Sequence, residues 1–411
     1  MTILFDYQHF IKGGVETLIL RLTSYYEANG NNIIICCEDM IDEYKLLFSK
    51  TNVNIISRNI INYELLKNIN IVLTMNFEDF FFYYCYANKY NMKYKNLLYV
   101  VAPRTLSHSP FYTHKKANYI GCVIYKKFVK RLFMNKNIIF MDEMCYRDSN
   151  NSLNFCEENS SLDFIPIPFD FPQFDIKKID EKVFSRNKTF NILTVSRADY
   201  PYKGYHKGLI DIFKLISKKY SNVRLKIIAS YDSEKSQKNI YMLKKWINES
   251  GCRNIELIEG LCYKELLTEY EKSHLYIGMG TTLIEAAANY NIVIAVEPYK
   301  YQCISVDYFH NKVDWLGADW NMGKTSFNLI DHAIALNSND YKKMIIKTYN
   351  RAKEYYSLEQ VANKILNIKA CINYDFSSKI ICALLLCDNL YLIILRKIKK
   401  FCNTIYKYFR D

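Results

Sequence analysis

Arg197 and Lys203 lie on one short segment of NILTVSRADYPYKGYHKGLIDIF, residues 191–213. NILTV reads as a strand and the run from His206 as a helix, so both cations fall on the connecting loop. A forked guanidinium beside a point-charge ammonium suits the neutralisation of a diphosphate in a partly dry setting. A solvated basic loop has the same composition, since Lys207 follows closely.

Two further segments bear chemistry. HLYIGMGTTLIEAAANYNIVIAVEP, residues 274–298, reads as strand, glycine turn, helix and strand. Backbone N–H groups at Gly280, Thr281 and Thr282 can meet a phosphate, because the start of a helix carries partial positive charge. Glu285 can accept hydrogen bonds from ribose hydroxyls, as acidic residues do in dinucleotide sites. Its structural alternative is to complement the helix dipole. In FIKGGVETLILRL, residues 10–22, Gly13 and Gly14 fall between a strand and a helix, where the backbone can approach a ligand or simply turn tightly.

The elements that would position these residues follow an α/β rhythm. Ile3–Tyr7, Ile33–Cys37, Ile71–Thr74, Leu97–Val101 and Ile138–Phe140 are strand-like, with helical patterns at Val15–Ala28 and Glu78–Tyr90. The rhythm restarts near residue 190. Strands are predicted at Ile192–Val195, Leu225–Ala229, Ile255–Ile258, Leu275–Ile277 and Ile292–Val296. Helices are predicted at His206–Lys218, Lys235–Glu249, Lys264–Lys272 and Thr282–Tyr290. Between the halves, IPIPFDFPQFD (165–175) holds three of the chain's seven prolines and reads as a connector. The expectation is two Rossmann-like domains, 1–185 and 186–373, facing across a cleft, with ligands at the carboxyl ends of the parallel strands. No internal sequence repeat accompanies the similar layout.

Composition sets wider limits. A chain of 411 residues suits two domains of about 100–200 residues each. A net charge of +13 suits anionic partners, although a general abundance of Lys, Asn, Ile and Tyr also accounts for it. Nothing beyond that charge points to nucleic acid. The 13 cysteines include no CxxC pair, so neither a zinc site nor a disulfide framework is readable, and a reducing cytoplasm is expected. MTILFDYQHF is too short and polar for a signal peptide. The tail from 374 contains an apolar run, Ile380–Leu395, interrupted by Asp388 and Asn389 and too short to span a bilayer, which needs about 20 residues. Arg396, Lys397, Lys399, Lys400, Lys407 and Arg410 follow it, so 377–411 suits either a peripheral anchor on an anionic membrane surface or a hairpin packed on protein.

In this order, the segments resemble retaining glycosyltransferases of family four, which have the GT-B fold. GGVETLILRLTSYYEANGNNIIIC resembles that family's Gly-Gly-x-Glu opening helix and second strand, and IPIPFD the close of its N-terminal domain. ILTVSRADYPYKG resembles its Ser-Arg…Lys-Gly loop, and IELIEGLCYKELLTEYEKSHLYIG its surround of the nucleotide base. GTTLIEAAANYNIVIAV resembles its Glu-Ala-x-Ala helix, and RAKEYYSLEQVANKIL its closing helix. The resemblance implies transfer of a sugar from a nucleotide-diphosphate donor to a glycan or lipid-linked acceptor with retention, in cell-surface polysaccharide synthesis such as lipopolysaccharide or capsule. It implies no required metal or other cofactor. Arg197 and Lys203 would hold the diphosphate, Glu285 the ribose, and backbone near Gly260 would face the base. Gly13 and Gly14 would border diphosphate and acceptor.

Two departures stand out. Ile277 occupies the first position of the family's Glu-x7-Glu pair. Where many members carry a histidine after an N-domain strand, LLYVVAPRTLSH offers only Arg104 or His108 as substitutes. These departures keep open an alternative, a catalytically inactive GT-B subunit that binds and supports a partner enzyme. A GT-B epimerase would need acid–base carboxylates and histidines that no segment marks.

Overall fold

The computed structural model describes residues 1–11, 14–107, 119–154, 164–230, 234–317 and 323–370. Gly13, His108 and the tail 377–411 therefore lie outside the described residues. The chain forms two compact units, 1–168 with 361–411, and 169–360.

The first unit is built on β1 (Thr2–Asp6), β2 (His9–Phe10), β3 (Asn32–Cys36), β4 (Asp39–Met40), β5 (Asn54–Ile56), β6 (Ile71–Thr74), β7 (Lys95–Val100) and β8 (Ile138–Phe140). Six of these form one parallel sheet in the order β5-β3-β1-β6-β7-β8, while β2 pairs with β4. Crossover helices bury both faces of such a sheet, which is why β6, IVLT, is buried at every position. Asn76 caps the helix Phe77–Tyr90 by accepting from the Asp79 N–H at 2.8 Å. That helix packs Phe77 and Tyr84 edge-on against Tyr125 and Phe128 of the helix Tyr119–Met134, at centroid distances of 4.9 and 5.0 Å.

The second unit holds β9 (Phe190–Arg197), β10 (Val223–Ser230), β11 (Ile255–Glu259), β12 (Leu275–Gly278) and β13 (Ile292–Ala295). They form a parallel sheet in the order β11-β10-β9-β12-β13. Both main sheets are thus doubly wound, with the first strand inside and the order reversing beside it.

The division falls at Pro168/Phe169 inside the proline-rich connector, not at the expected 185/186. The reason is the helix Ile176–Arg186, which is tied to the second unit. Lys182 donates to the Tyr270 and Asn289 carbonyls at 3.1 and 2.7 Å, and Arg186 to those of Ile334 and Leu336 at 3.0 and 2.6 Å. The second unit is closed at its ends: the Phe169 N–H donates to the Tyr356 carbonyl at 2.7 Å, and the Leu358 N–H to the Phe169 carbonyl at 2.9 Å. The last described helix, Leu358–Asn367, then crosses the division, and from Val361 it belongs to the first unit rather than to the expected 186–373 domain. There the Tyr26 hydroxyl donates to the Ala362 carbonyl at 2.9 Å and Lys95 to that of Leu366 at 2.8 Å. Among the described residues, no helix is long and apolar enough to cross a membrane.

Candidate functional site

The second sheet reverses its strand order between β9 and β12, and crevices at such points are where open α/β sheets take ligands. Arg197 ends β9 and is exposed. Lys203 follows on the loop into the helix Tyr205–Lys219 and is half-buried. Its ammonium makes no hydrogen bond or ion pair among the described residues. Burial, and then the neighbouring Arg197 charge, push its pKa down to about 8 against the opposing pull of Asp199. A cation held this way gains most from an arriving anion.

The loop carrying Lys203 is tightly held. Gly204 is buried, and a Cβ there would stand 2.9 Å from the Lys300 carbonyl oxygen and 3.1 Å from that of Pro201. The Tyr299 N–H donates to the Tyr202 carbonyl at 2.8 Å. Fully buried His206 links strand to loop, with Nε2 3.1 Å from Ser196 Oγ and Nδ1 3.0 Å from the Tyr200 hydroxyl. Ser196 Oγ donates to the Arg197 carbonyl, so His206 Nε2 donates to Ser196 and Nδ1 accepts from Tyr200. Burial, then Lys203, push the imidazole down to about 3, so it stays neutral in this latch. Pattern alone does not mark His206 or Tyr200, because both look like ordinary residues of a helix start and loop.

Across the switch point, Gly280 sits at φ 76, a left-handed conformation that favours glycine. Its N–H donates to the Leu316 carbonyl at 2.7 Å, so it is not available to a phosphate, contrary to expectation. The N–H groups of Thr281 and Thr282 make no backbone hydrogen bond among the described residues. Glu285 lies on the helix Thr282–Ala288, and its Oε2 accepts from the Tyr270 hydroxyl at 3.2 Å. The Tyr276 hydroxyl lies between Thr282 Oγ1, at 2.6 Å, and the Val195 carbonyl oxygen, at 3.1 Å. The turn after β12 and the end of β9 are therefore physically linked. A Cβ on Gly278 would meet that hydroxyl at 2.6 Å, which explains the glycine. Gly260, exposed at φ 71 just after β11, has open space where a Cβ would point.

Ile277 is fully buried in the apolar core on β12, so no carboxylate stands at the departed position. In the first unit, Gly14 opens the helix Gly14–Ala28, and a Cβ there would meet nothing within 4 Å. Arg104 lies on the turn after β7 at φ 71, an uncommon conformation for a side chain of its size. Its N–H donates to Asp148 Oδ2 at 2.7 Å, and its residue is exposed. Arg197, Lys203, Gly260, Gly280, Thr281, Thr282 and Glu285 thus share the carboxyl edge of the second sheet, while Gly14 and Arg104 belong to the first unit. Among the described residues, no three His, Cys, Asp or Glu side chains are grouped to hold a metal ion.

No protein-family model matches the chain, and no curated protein matches it significantly. Solved structures do. A Rickettsia africae glycosyltransferase superposes with TM-score 0.59 at 16% identity, covering 90% of this chain and 98% of that one. Anabaena HepE, solved with UDP and glucose, gives 0.54 at 12% identity over 89% and 98%. A UDP-forming trehalose-phosphate synthase from Burkholderia xenovorans gives 0.53 at 12% identity over 89% and 97%. With both sheets doubly wound and these likenesses spanning nearly the whole length, the fold of the chain is GT-B.

Proposed function

We propose that the chain is a retaining glycosyltransferase that moves a sugar from a nucleotide-diphosphate donor to a glycan or lipid-linked acceptor in cell-surface polysaccharide synthesis. The observation that carries the reading is Lys203, a half-buried ammonium that makes no hydrogen bond or ion pair among the described residues, beside Arg197 at the switch point. In this reading Arg197 and Lys203 bind the diphosphate and stabilise charge on the leaving group. One well-placed donor of that kind contributes roughly 3–4 kcal/mol. Thr281 and Thr282 offer N–H groups to phosphate, Glu285 takes the ribose, and Gly260 leaves room for the base. Gly14, with Gly13, borders the acceptor, and Arg104 or His108 stands in for the family's N-domain histidine. No metal or other cofactor takes part. HepE has been solved with UDP-glucose, which favours UDP-sugars as the first donors to try.

The test is turnover of UDP-, GDP- and ADP-sugars by purified protein, with hydrolysis counted as well as transfer. Binding of a nucleoside diphosphate without any turnover, even with native acceptor, would establish instead the second reading, a binding subunit. Ile277, apolar and buried where the family has a sugar-contacting Glu, favours that alternative.

Affinity should also depend on pH. Lys203 attracts the diphosphate only when protonated, and a bound anion raises its pKa above the free value of about 8. Binding should therefore be nearly level from about pH 7 to 7.5 and weaken above pH 8, by up to about tenfold per unit. Calorimetric titration of UDP across pH 7–9.5 checks this, since UDP's own terminal phosphate titrates near ~6. A flat profile sinks the assignment of Lys203.

The protein is further proposed to sit peripherally on the cytoplasmic membrane face through 377–411. Deleting that segment should move the protein from membrane to soluble fractions, and equal partitioning of both forms defeats the anchor.

A further inference from the structure

Glu285 is braced from behind. The hydroxyl that bonds its Oε2 belongs to Tyr270, a fully buried residue on the last turn of the helix Tyr263–Lys272. The main chain of Tyr270 is pinned in turn. Lys182 Nζ donates to the Tyr270 carbonyl at 3.1 Å, to the Asn289 carbonyl at 2.7 Å and to Asn291 Oδ1 at 3.2 Å. Asn291 Nδ2 donates to the same Tyr270 carbonyl and to that of Ala286, both at 3.0 Å. Lys182 Nζ thus meets three acceptors, two of them carbonyls at the C-terminal ends of two helices, although burial pushes its pKa well down. The helix carrying Tyr270 and the helix carrying Glu285 are cross-tied by Lys182 and Asn291, so the phenol and the carboxylate hold a set mutual distance. Tyr276 also reaches this region, but its hydroxyl meets Thr282 and Val195 and not Glu285.

A carboxylate reads two vicinal ribose hydroxyls best when its plane is set before the nucleotide arrives. We infer that Tyr270 is a positioning residue that orients Glu285 toward the ribose and thereby sets a preference for ribo- over deoxyribonucleoside diphosphates. The inference rests on the reading of Glu285 as the ribose-binding carboxylate. Without the phenol, Glu285 samples several rotamers, and the bond to the 2′-hydroxyl is formed in only part of them. Removing that hydroxyl from the ligand then matters less.

The test is calorimetric titration of UDP, GDP and ADP against their 2′-deoxy counterparts. Wild type, Tyr270→Phe, Tyr276→Phe and Glu285→Gln are compared, with circular dichroism and thermal melts for each. Tyr270→Phe should cut the ribo/deoxyribo affinity ratio by about fivefold or more, since a hydrogen bond to a charged group is lost. Tyr276→Phe should weaken both ligands alike and leave the ratio unchanged. A purely structural role for Tyr270 would likewise lower both affinities without moving the ratio, and that result overturns the inference. Should Tyr270→Phe fail to fold, Tyr270→Met, which fills the buried site without a hydroxyl and leaves Glu285 intact, must show the same fall in ratio. If Glu285→Gln abolishes the preference while Tyr270→Phe keeps it, the ribose reading stands and only the positioning role fails. Full preference in Glu285→Gln overturns the ribose reading and the inference with it, as does the absence of binding by wild type.

Discussion

Arg197→Ala combined with Lys203→Ala should abolish sugar-nucleotide turnover without unfolding the protein. Two donors at roughly 3–4 kcal/mol each would predict a very large loss, but neighbouring cations overlap in effect, so a fall of at least about 10⁴-fold is expected. The fold should survive because Arg197 is exposed and Lys203 is an unfavourable guest in the native state. Its folded pKa of about 8 lies below the ordinary lysine value of 10.5. The unfolded chain therefore binds the proton more tightly, and at neutral pH the charge at this site opposes folding. Its removal should leave the melting temperature level or raise it. Donor turnover and a thermal melt on the same preparation check both halves. Undiminished turnover sinks the site, and a collapsed melt would mean that these cations are structural.

Gly208→Ala should produce the largest loss of stability. Gly208 is buried in the helix Tyr205–Lys219, and its ideal Cβ would stand 2.1 Å from the Cys303 nitrogen and 2.6 Å from backbone atoms of Gln302. Helix propensity alone favours alanine by about 1 kcal/mol. Contact with backbone, which yields far less than a side-chain tip, should outweigh that gain and leave a net cost of about 2–3 kcal/mol. For a unit of this size the melt should fall by about 4–12 °C. The same shift would displace the loop that presents Lys203, so affinity for UDP should weaken as well. A melting temperature equal to or above that of wild type would show that the helix slides away at little cost.

The sheets were legible because buried parallel strands are continuous apolar runs. Ile71–Thr74 and Ile138–Phe140 occupy their expected limits. β5 escapes such a reading because it is an edge strand whose Asn54 and Ile55 are exposed, leaving no run to detect. The helix expected over Thr282–Tyr290 stops at Ala288, since Tyr290 turns to φ 58. In the site, Arg197, Lys203 and Glu285 are charged residues at loop and helix-start positions, and charge there is conspicuous. Their supports are not. Tyr270 and Tyr276 read as core aromatics, and only the fold shows where their hydroxyls end. Gly280 looks like a phosphate-facing donor until Leu316, distant in sequence, proves to hold its N–H.

The hydrogen bonds joining Phe169 to Tyr356 and Leu358 have a bearing on how the chain matures. They make the second unit an insertion whose two ends meet at one doorway, while the first unit is interrupted in sequence and completed by residues from 361 onward. During synthesis, residues 169–360 are all available before the segment that meets Tyr26 and Lys95 emerges. Vectorial folding would therefore finish the inserted unit first and leave the earlier-made one open until the end. The same doorway makes 169–360 a natural fragment for independent expression, and a natural place to cut and rejoin the chain by circular permutation.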